Sequence, residues 1–444
     1  LSMKEKNDTS QLTRKELPSD TVPYLIVIYL GFCTISIWNA ILATMDFFSV
    51  YQKEYNPEFN YTVFYTLLNC SFQFSLVYWG NQFTYKTQLY ISVISIPLVF
   101  GCIPFAVIFI EGLLGFLVTG FLIILVGLFL ATLNGSVYGL CGFLPSKYII
   151  GVSYGGGLCG ITINMIRYII TFANGAQSDK HSITVSSIWF FGICFTLMLS
   201  TAPMLSYLFN HPVIILNFYS SGQVSKEKYE EVVHEYNLEE SFPIDSNSGE
   251  AQKEIQEIVD ESKVKEKPLE LSRLQTLKKL LGFLYDTNFL IFTSFVTTFT
   301  VFPGLCYNMT LYNLPDSLFY NTQAFIYNIF DTTGRFLPLV LNTSLSKIRK
   351  LTCLRILVFI VYGVIYPLQK YGYLRNPLSS IINSLLLVFL SLTNGFICSN
   401  CFSFSPKLVS DDLIGKAGAC TSFFLMFGIF IGTLFARFIT QNLI

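Results

Sequence analysis

Charge is what these 444 residues have little of: only 13% are Asp, Glu, Lys or Arg, against about a quarter in soluble chains. A soluble fold of this size could not solvate its surface with so few. Histidine is scarcer still. His181, His211 and His234 are the three copies, all outside the long apolar runs, which removes the commonest proton-relay side chain from those runs. Net charge is absent too, with 28 bases against 28 acids, and this excludes a nucleic-acid binder driven by bulk basicity. Metal-ligand spacing is reduced to one Cys-x-x-Cys, Cys398 and Cys401, with no second pair and no His beside it. Zinc takes about four ligands, so no metal and no other cofactor is expected. The eleven cysteines fall nearly all inside apolar runs, where a thiol behaves as a small buried hydrophobe. An enzyme in the membrane lacks support, because no His, metal cluster or activated nucleophile falls within those runs.

What is present is apolar length: 52% of the chain is hydrophobic and 16% aromatic. A hydrocarbon core about 30 Å thick needs roughly 20 such residues per helix. The runs predict an all-α integral membrane protein with about eleven spans, near 22–45, 61–80, 88–110, 113–142, 148–172, 185–208, 283–306, 318–343, 351–368, 377–405 and 415–440. The polar opening, 1–21, reads as a cytosolic tail rather than a signal peptide. Placing it inside puts eleven short-loop and tail Lys/Arg on the cytosolic side and five outside. The excess of inner bases sets orientation, so the N-terminus is expected inside and the C-terminus outside. Two sequons, at Asn60 and Asn308, then fall in outer loops where glycosylation is possible.

Residues 209–282 break the pattern. Between Ser221 and Glu270 there are 14 acids and six lysines, a composition that cannot bury a core and reads as a charged cytosolic loop with, at most, short helices. It divides the chain into a bundle at 22–208 and a second at 283–444, six spans and five. Two-bundle transporters rock one half against the other around a midplane site.

Few charges are left inside the spans: Arg167, Arg335, Arg355 and Asp331. An ionised group at the bilayer centre costs about 2.5–3.5 kcal/mol on insertion scales, so each is a functional candidate. Asp331 and Arg335 stand four apart and share a helix face. They read as a bracing pair, or as a wall offering an acceptor and a fork of donors to a hydroxyl-rich neutral solute. Arg167 and Arg355 stand nearer span ends, where snorkelling or bracing is expected. With one deep carboxylate, facilitated diffusion is the simpler mechanism. Gly127, Ala131, Gly135 and Gly139, and again Gly428, Gly432 and Ala436, recur every four positions, as close helix contacts require. Gly155 to Gly160 matches GxGxxG, but without a preceding strand it reads as helix packing, not a dinucleotide loop.

In order along the chain stand Gly31 to Trp38-Asn39, Asn134-Gly135-Ser136 running to Leu144-Pro145, the glycine-rich Gly155–Arg167, Phe302-Pro303-Gly304, Asn328-Ile-Phe-Asp331-Thr-Thr-Gly334-Arg335, and Thr393-Asn394-Gly395-Phe396. This series resembles the equilibrative nucleoside transporters from about residue 24 to 440. The resemblance implies a major-facilitator-like fold and alternating-access transport of nucleosides, nucleobases among them in some members. It implies that Asp331 and Arg335, with Asn328 on the same turn series, bind ribose hydroxyls, that Asn134 reads a base edge and that Trp38 packs against the solute. Leu42 with Phe302 and Pro303 would form the outer gate, and Arg167 would close the glycine-rich segment. The chain departs from the family's pattern at Asn134, where many members have Gln, at Tyr154 and at Cys159. The expected partners are nucleosides and the lipid bilayer, with no nucleic acid and no obligate protein partner, and the expected site is the plasma membrane. Two alternatives stand beside this: a proton-coupled nucleoside or nucleobase carrier, and a non-transporting receptor or scaffold docking through the acidic loop.

Overall fold

The computed structural model describes residues 17–79, 83–174, 179–219, 224–236, 273–302, 316–370, 373 and 377–442, and every regular element among them is helical. The first group is α1 (Thr21–Ala43), α2 (Met45–Gln52), α3 (Pro57–Trp79), α4 (Tyr85–Phe109), α5 (Gly112–Cys141), α6 (Ser146–Ala173), α7 (Lys180–Leu199) and α8 (Thr201–Asn210). Short helices α9 (Pro212–Tyr219) and α10 (Lys226–Glu235) follow. The second group is α11 (Arg273–Phe283), α12 (Tyr285–Thr300), α13 (Asp316–Phe336), α14 (Leu345–Lys370), α15 (Pro377–Phe404) and α16 (Ile414–Asn442).

Local chemistry starts several of these. Thr84 accepts the Thr87 amide at 3.3 Å, Asp179 the Ser182 amide at 3.1 Å and Ser225 the Lys228 amide at 3.4 Å, each satisfying an orphan donor of a first turn. Among the described residues seven helices, or joined helices, are long and apolar enough to cross a membrane, and α11 with α12 makes an eighth, bent by 72°. The bend falls at Leu284, so the span expected near 283–306 starts with α12 and α11 lies before it. Lys347, Arg349 and Lys350, expected in a loop, lie in the first two turns of α14, which continues beyond the apolar stretch while its bases reach polar surroundings. Arg349 pairs there with Asp286 of α12. The charged stretch carries α9, α10 and α11 at its two ends, while its middle, 237–272, lies outside the described residues. So do Asn308 and Pro303.

Packing repeats between the groups. Helix α1 lies along α6, and α12 lies along α16 in the same manner. The small-residue ladders make these approaches possible: a Cβ on Gly428 or Gly432 would stand 2.8 Å from the backbone oxygen of Phe292 or Val296 in α12. In α5, Gly127 meets Tyr65 of α3, whereas Gly135 and Gly139 face Ala419 and Gly415 of α16. The groups touch through α6 against α13 and α15, and through α16 against α3 and α5.

Candidate functional site

Helix α13 places Asn328, Asp331, Thr332 and Arg335 at spacings of three and four, on one face. Glycines decide what that face meets. A Cβ on Gly334 would lie 2.9 Å from the Phe396 nitrogen, and one on Gly395 would lie 2.8 Å from the Arg335 nitrogen. The backbones of α13 and α15 are therefore in direct contact, bringing Asn394 to Asp331. Across the groups, a Cβ on Gly157 would meet Thr332 Cα and Arg335 Cδ at 2.9 Å, and Gly160 lies directly beneath the Asn328 amide. The GxGxxG run is a packing surface, with Gly155 turned to α1 and Gly157 and Gly160 turned to α13.

Asp331 is 4% exposed. Arg335 Nε donates to its Oδ2 at 2.7 Å, and Asn394 Nδ2 donates to its Oδ1 at 2.8 Å. Arg335 also donates from Nη1 to the Ser153 carbonyl of α6 at 3.2 Å, so the pair bridges the two helix groups. Ser153 Oγ in turn receives Ser399 Oγ of α15 at 2.7 Å. Breaking a buried pair by removing one partner costs about 3–5 kcal/mol, because the other charge is left uncompensated.

Of the two roles expected for Arg355, snorkelling or bracing, the structure has bracing. Rather than snorkelling from a span end it sits mid-helix in α14 with no exposed surface. Its guanidinium donates to the Leu390 carbonyl at 2.5 Å, the Ser294 carbonyl at 3.1 Å, Thr298 Oγ1 at 2.5 Å and Thr393 Oγ1. The sequence signalled Arg355 as a charge in an apolar run, but not the hydroxyls and carbonyls that hold it.

The other expected residues lie apart from this cluster. Asn134 donates to Ser422 Oγ of α16 at 2.6 Å, which donates to Gln73 Oε1 of α3 at 2.9 Å, forming a second polar bridge between the groups. Trp38 stacks on Tyr65 of α3 with centroids 3.8 Å apart and planes 3° apart. Leu42, one turn on, is 41% exposed. Phe302 stacks on Tyr327 within the second group at 4.2 Å. Arg167 donates to Asp46 at the start of α2 at 2.6 Å, and to Ser186 of α7 at 3.4 Å, inside the first group. At the Asn60 sequon the side-chain nitrogen donates to the Tyr55 carbonyl at 2.6 Å from the first turn of α3.

Two polar bridges join the two helix groups, one of them holding a buried ion pair, and it is at such an interface that two-bundle carriers hold their solutes. Comparison with known proteins agrees: residues 121–441 match the family described as Nucleoside transporter. The chain belongs to the nucleoside transporter family. It is 24% identical over 436 residues to equilibrative nucleotide transporter 1 of Arabidopsis thaliana, covering 96% of this chain and 88% of that protein. It is 26% identical over 362 residues to human equilibrative nucleoside transporter 1, covering 78% and 74%. Among solved structures it resembles a double-Trp mutant of XylE, with TM-score 0.60, 13% identity and coverage of 94% and 87%. Like that relative in fold alone, this member of the nucleoside transporter family has an all-helical, major-facilitator-like transporter fold. It is a multi-pass membrane protein and not an enzyme.

Proposed function

We propose that the chain carries nucleosides, and nucleobases with them, down their gradients by alternating access, with Asp331 and Arg335 as the solute-contacting pair. The observation that carries this is the pair itself: a buried carboxylate and guanidinium at the seam between two helix groups, in a chain of this family. A carboxylate accepts two hydroxyls and a guanidinium keeps donors to spare, which suits the vicinal hydroxyls of ribose. Asn328 shares their face, Trp38 offers an aromatic plane and Asn134 an amide for a base edge. Leu42, Phe302 and Pro303 stand as outer-gate elements, and Arg167 as a brace. A neutral nucleoside suits this site better than a nucleotide, because Asp331 would repel phosphate and Arg355 is already enclosed by four acceptors.

Eleven spans in a six-plus-five arrangement fit these helices. To the eight apolar spans we add α3, α13 and α14, each more than 20 residues long and so about 30 Å or more. Their mean hydropathy is lowered by Gln73, Asp331, Arg335 and Arg355, which face the protein interior. The N-terminus is then cytosolic and the C-terminus outside. The described contacts between groups (Tyr154 on Phe336, Phe74 on Phe423, Gly139 on Gly415) fall toward the helix ends near Lys147 and Lys416. That supports a state closed to the cytosol. We place the chain in the plasma membrane, to be checked by surface labelling.

The test is uptake of radiolabelled adenosine or inosine into proteoliposomes, with saturation and competition by unlabelled nucleosides, nucleobases and AMP. Asp331→Asn should lower Vmax/KM by about 10- to 100-fold, the worth of a buried hydrogen bond to a charged group. No uptake by parent protein, or normal uptake by a folded Asp331→Asn variant, overturns the assignment.

A further inference from the structure

We infer that Arg355 is a positioning residue for the solute site: through Thr298 and Asn394 it directs a chain of hydrogen bonds across four helices that presents Asp331 as a pure acceptor, uncoupling uptake from protons. This rests on Asp331 being the solute-contacting carboxylate.

The direction follows from which groups can donate. A guanidinium only donates, so Thr298 Oγ1, 2.5 Å from Arg355 Nη2, must accept there. Its single hydrogen points to Asn394 Oδ1 at 2.9 Å or to the Ser294 carbonyl at 2.8 Å. Ser294 Oγ donates to the same Asn394 oxygen at 3.1 Å. With the Thr298 hydrogen on Asn394, two hydroxyls donate to the amide from α12 and the acceptor-only carboxylate of Asp331 takes its nitrogen, so the amide oxygen belongs to α12. An amide N–H can only donate, so Asp331 Oδ1 accepts at 2.8 Å while Oδ2 accepts from Arg335 Nε at 2.7 Å. Each oxygen receives one donor and retains a lone pair for a solute hydroxyl. No proton has a place between Asn394 and Asp331 in this arrangement.

The charged and titratable groups facing Asp331 agree. Tyr327 and Arg335 come from its own helix, Arg355 from α14 and Cys398 from α15. Among the described residues, α12 supplies Ser294 and Thr298 to the chain, and α6 supplies Ser153. None of Arg355's four acceptors is a carboxylate, so its charge is left to act on Asp331 through the relay.

Thr298→Val tests this without emptying a large buried volume. It keeps the side chain's shape, removes the hydroxyl between Arg355 and Asn394, and leaves the amide oxygen only the longer Ser294 contact at 3.1 Å, which lets the amide turn its oxygen toward Asp331. That geometry requires a shared proton. In proteoliposomes, uptake measured from pH 5.5 to 8, with and without a pH gradient, should be pH-independent and non-concentrative for the parent. Thr298→Val should raise KM about tenfold at neutral pH and gain uptake on acidification, while Thr298→Ser should match the parent. Asn394→Asp places a second carboxyl against Asp331 and should give the same acid dependence, by as much as about tenfold per pH unit.

Parent-like KM and a flat profile in both Thr298→Val and Asn394→Asp overturn the relay, as does concentrative uptake by the parent under a pH gradient. Equal KM losses in Thr298→Val and Thr298→Ser also overturn it, since packing alone would then account for both. Failure of the underlying assignment is separate: Asp331→Asn would itself retain uptake. If Asp331→Asn loses uptake while Thr298→Val and Asn394→Asp do not differ from the parent, only the relay falls.

Discussion

Two glycines two residues apart on α6 separate packing within a half from packing between halves. A Cβ on Gly155 would lie 2.8 Å from the Ile28 carbonyl carbon and 2.9 Å from the Phe32 nitrogen, both backbone atoms of α1. A Cβ on Gly157 would lie 2.9 Å from Thr332 Cα and Oγ1 and from Arg335 Cδ, on the other helix group. Overpacking by a methyl costs about 1–3 kcal/mol. In Gly155→Ala that cost is borne in every conformation, because α1 and α6 travel together. In Gly157→Ala it is borne only where the groups meet, and the roughly 1 kcal/mol gained in helix propensity is common to both states and cancels. The closed-to-open ratio should therefore fall by about 5- to 150-fold, at 1.4 kcal/mol per factor of ten.

Cys398 is a native reporter of that seam, with no exposed surface and its sulfur 3.9 Å from Ser153 Oγ. Alkylation by a membrane-impermeant maleimide, read at the Cys398 peptide by mass spectrometry against Cys398→Ala, should accelerate in Gly157→Ala. Thermal stability should stay near the parent's and Vmax should fall. Gly155→Ala should instead lower the melting temperature and yield of folded protein. If Gly157→Ala leaves Cys398 alkylation unchanged, or if the two variants behave alike, the division of α6 into a fixed face and a parting face is wrong.

Three further outcomes follow from separate features. Arg167 is a tenth exposed at its side chain but Asp46 nearly half, so screening limits the pair to about 1 kcal/mol; Arg167→Met should lower the melting temperature by only about 1 °C in a chain of this length and leave nucleoside KM unchanged in uptake assays. Trp38 loses its face-to-face contact with Tyr65 in Tyr65→Leu, and since such stacking is worth about 0.5–1.5 kcal/mol, KM should rise up to about tenfold, with Tyr65→Phe restoring it; a parent-like KM in Tyr65→Leu counts against Trp38 as a solute platform. His211, buried beyond the end of α8 with Nδ1 unpartnered among the described residues, is held below the usual imidazole range by burial, opposed by Asp20. A depressed value means the unfolded chain binds the proton more readily, so this contribution is present above the ordinary value of 6.5 and is lost as pH falls. Melting curves in detergent from pH 7.5 to 5 should show that slope, and His211→Asn should flatten it.

What the sequence could disclose here was the sparse and the periodic. Four charges in apolar runs stand out against their surroundings, and Asp331 with Arg335 could be paired by spacing alone, because four residues is one turn of one helix. Rotation about a helix axis and the neighbour met there depend on distant chain. Asn134 was legible as an amide, but Ser422, which it binds, is 288 residues away. Arg167 was legible as a charge, while Asp46 stood one residue beyond the expected span. Arg355 shows the limit most clearly. Its place near the start of an apolar run suggested snorkelling or bracing, and helix α14, which extends six residues further back, leaves only bracing by burying it. Its partners Ser294, Thr298 and Thr393 are ordinary small polar residues whose value in a membrane helix lies wholly in what they face. A charge announces its cost in any sequence, since it must find a partner or water. A hydroxyl within reach of its own helix carbonyl, as Thr298 Oγ1 is of the Ser294 oxygen at 2.8 Å, costs little wherever it stands. It acquires direction only when packing sets a guanidinium on one side and an amide on the other.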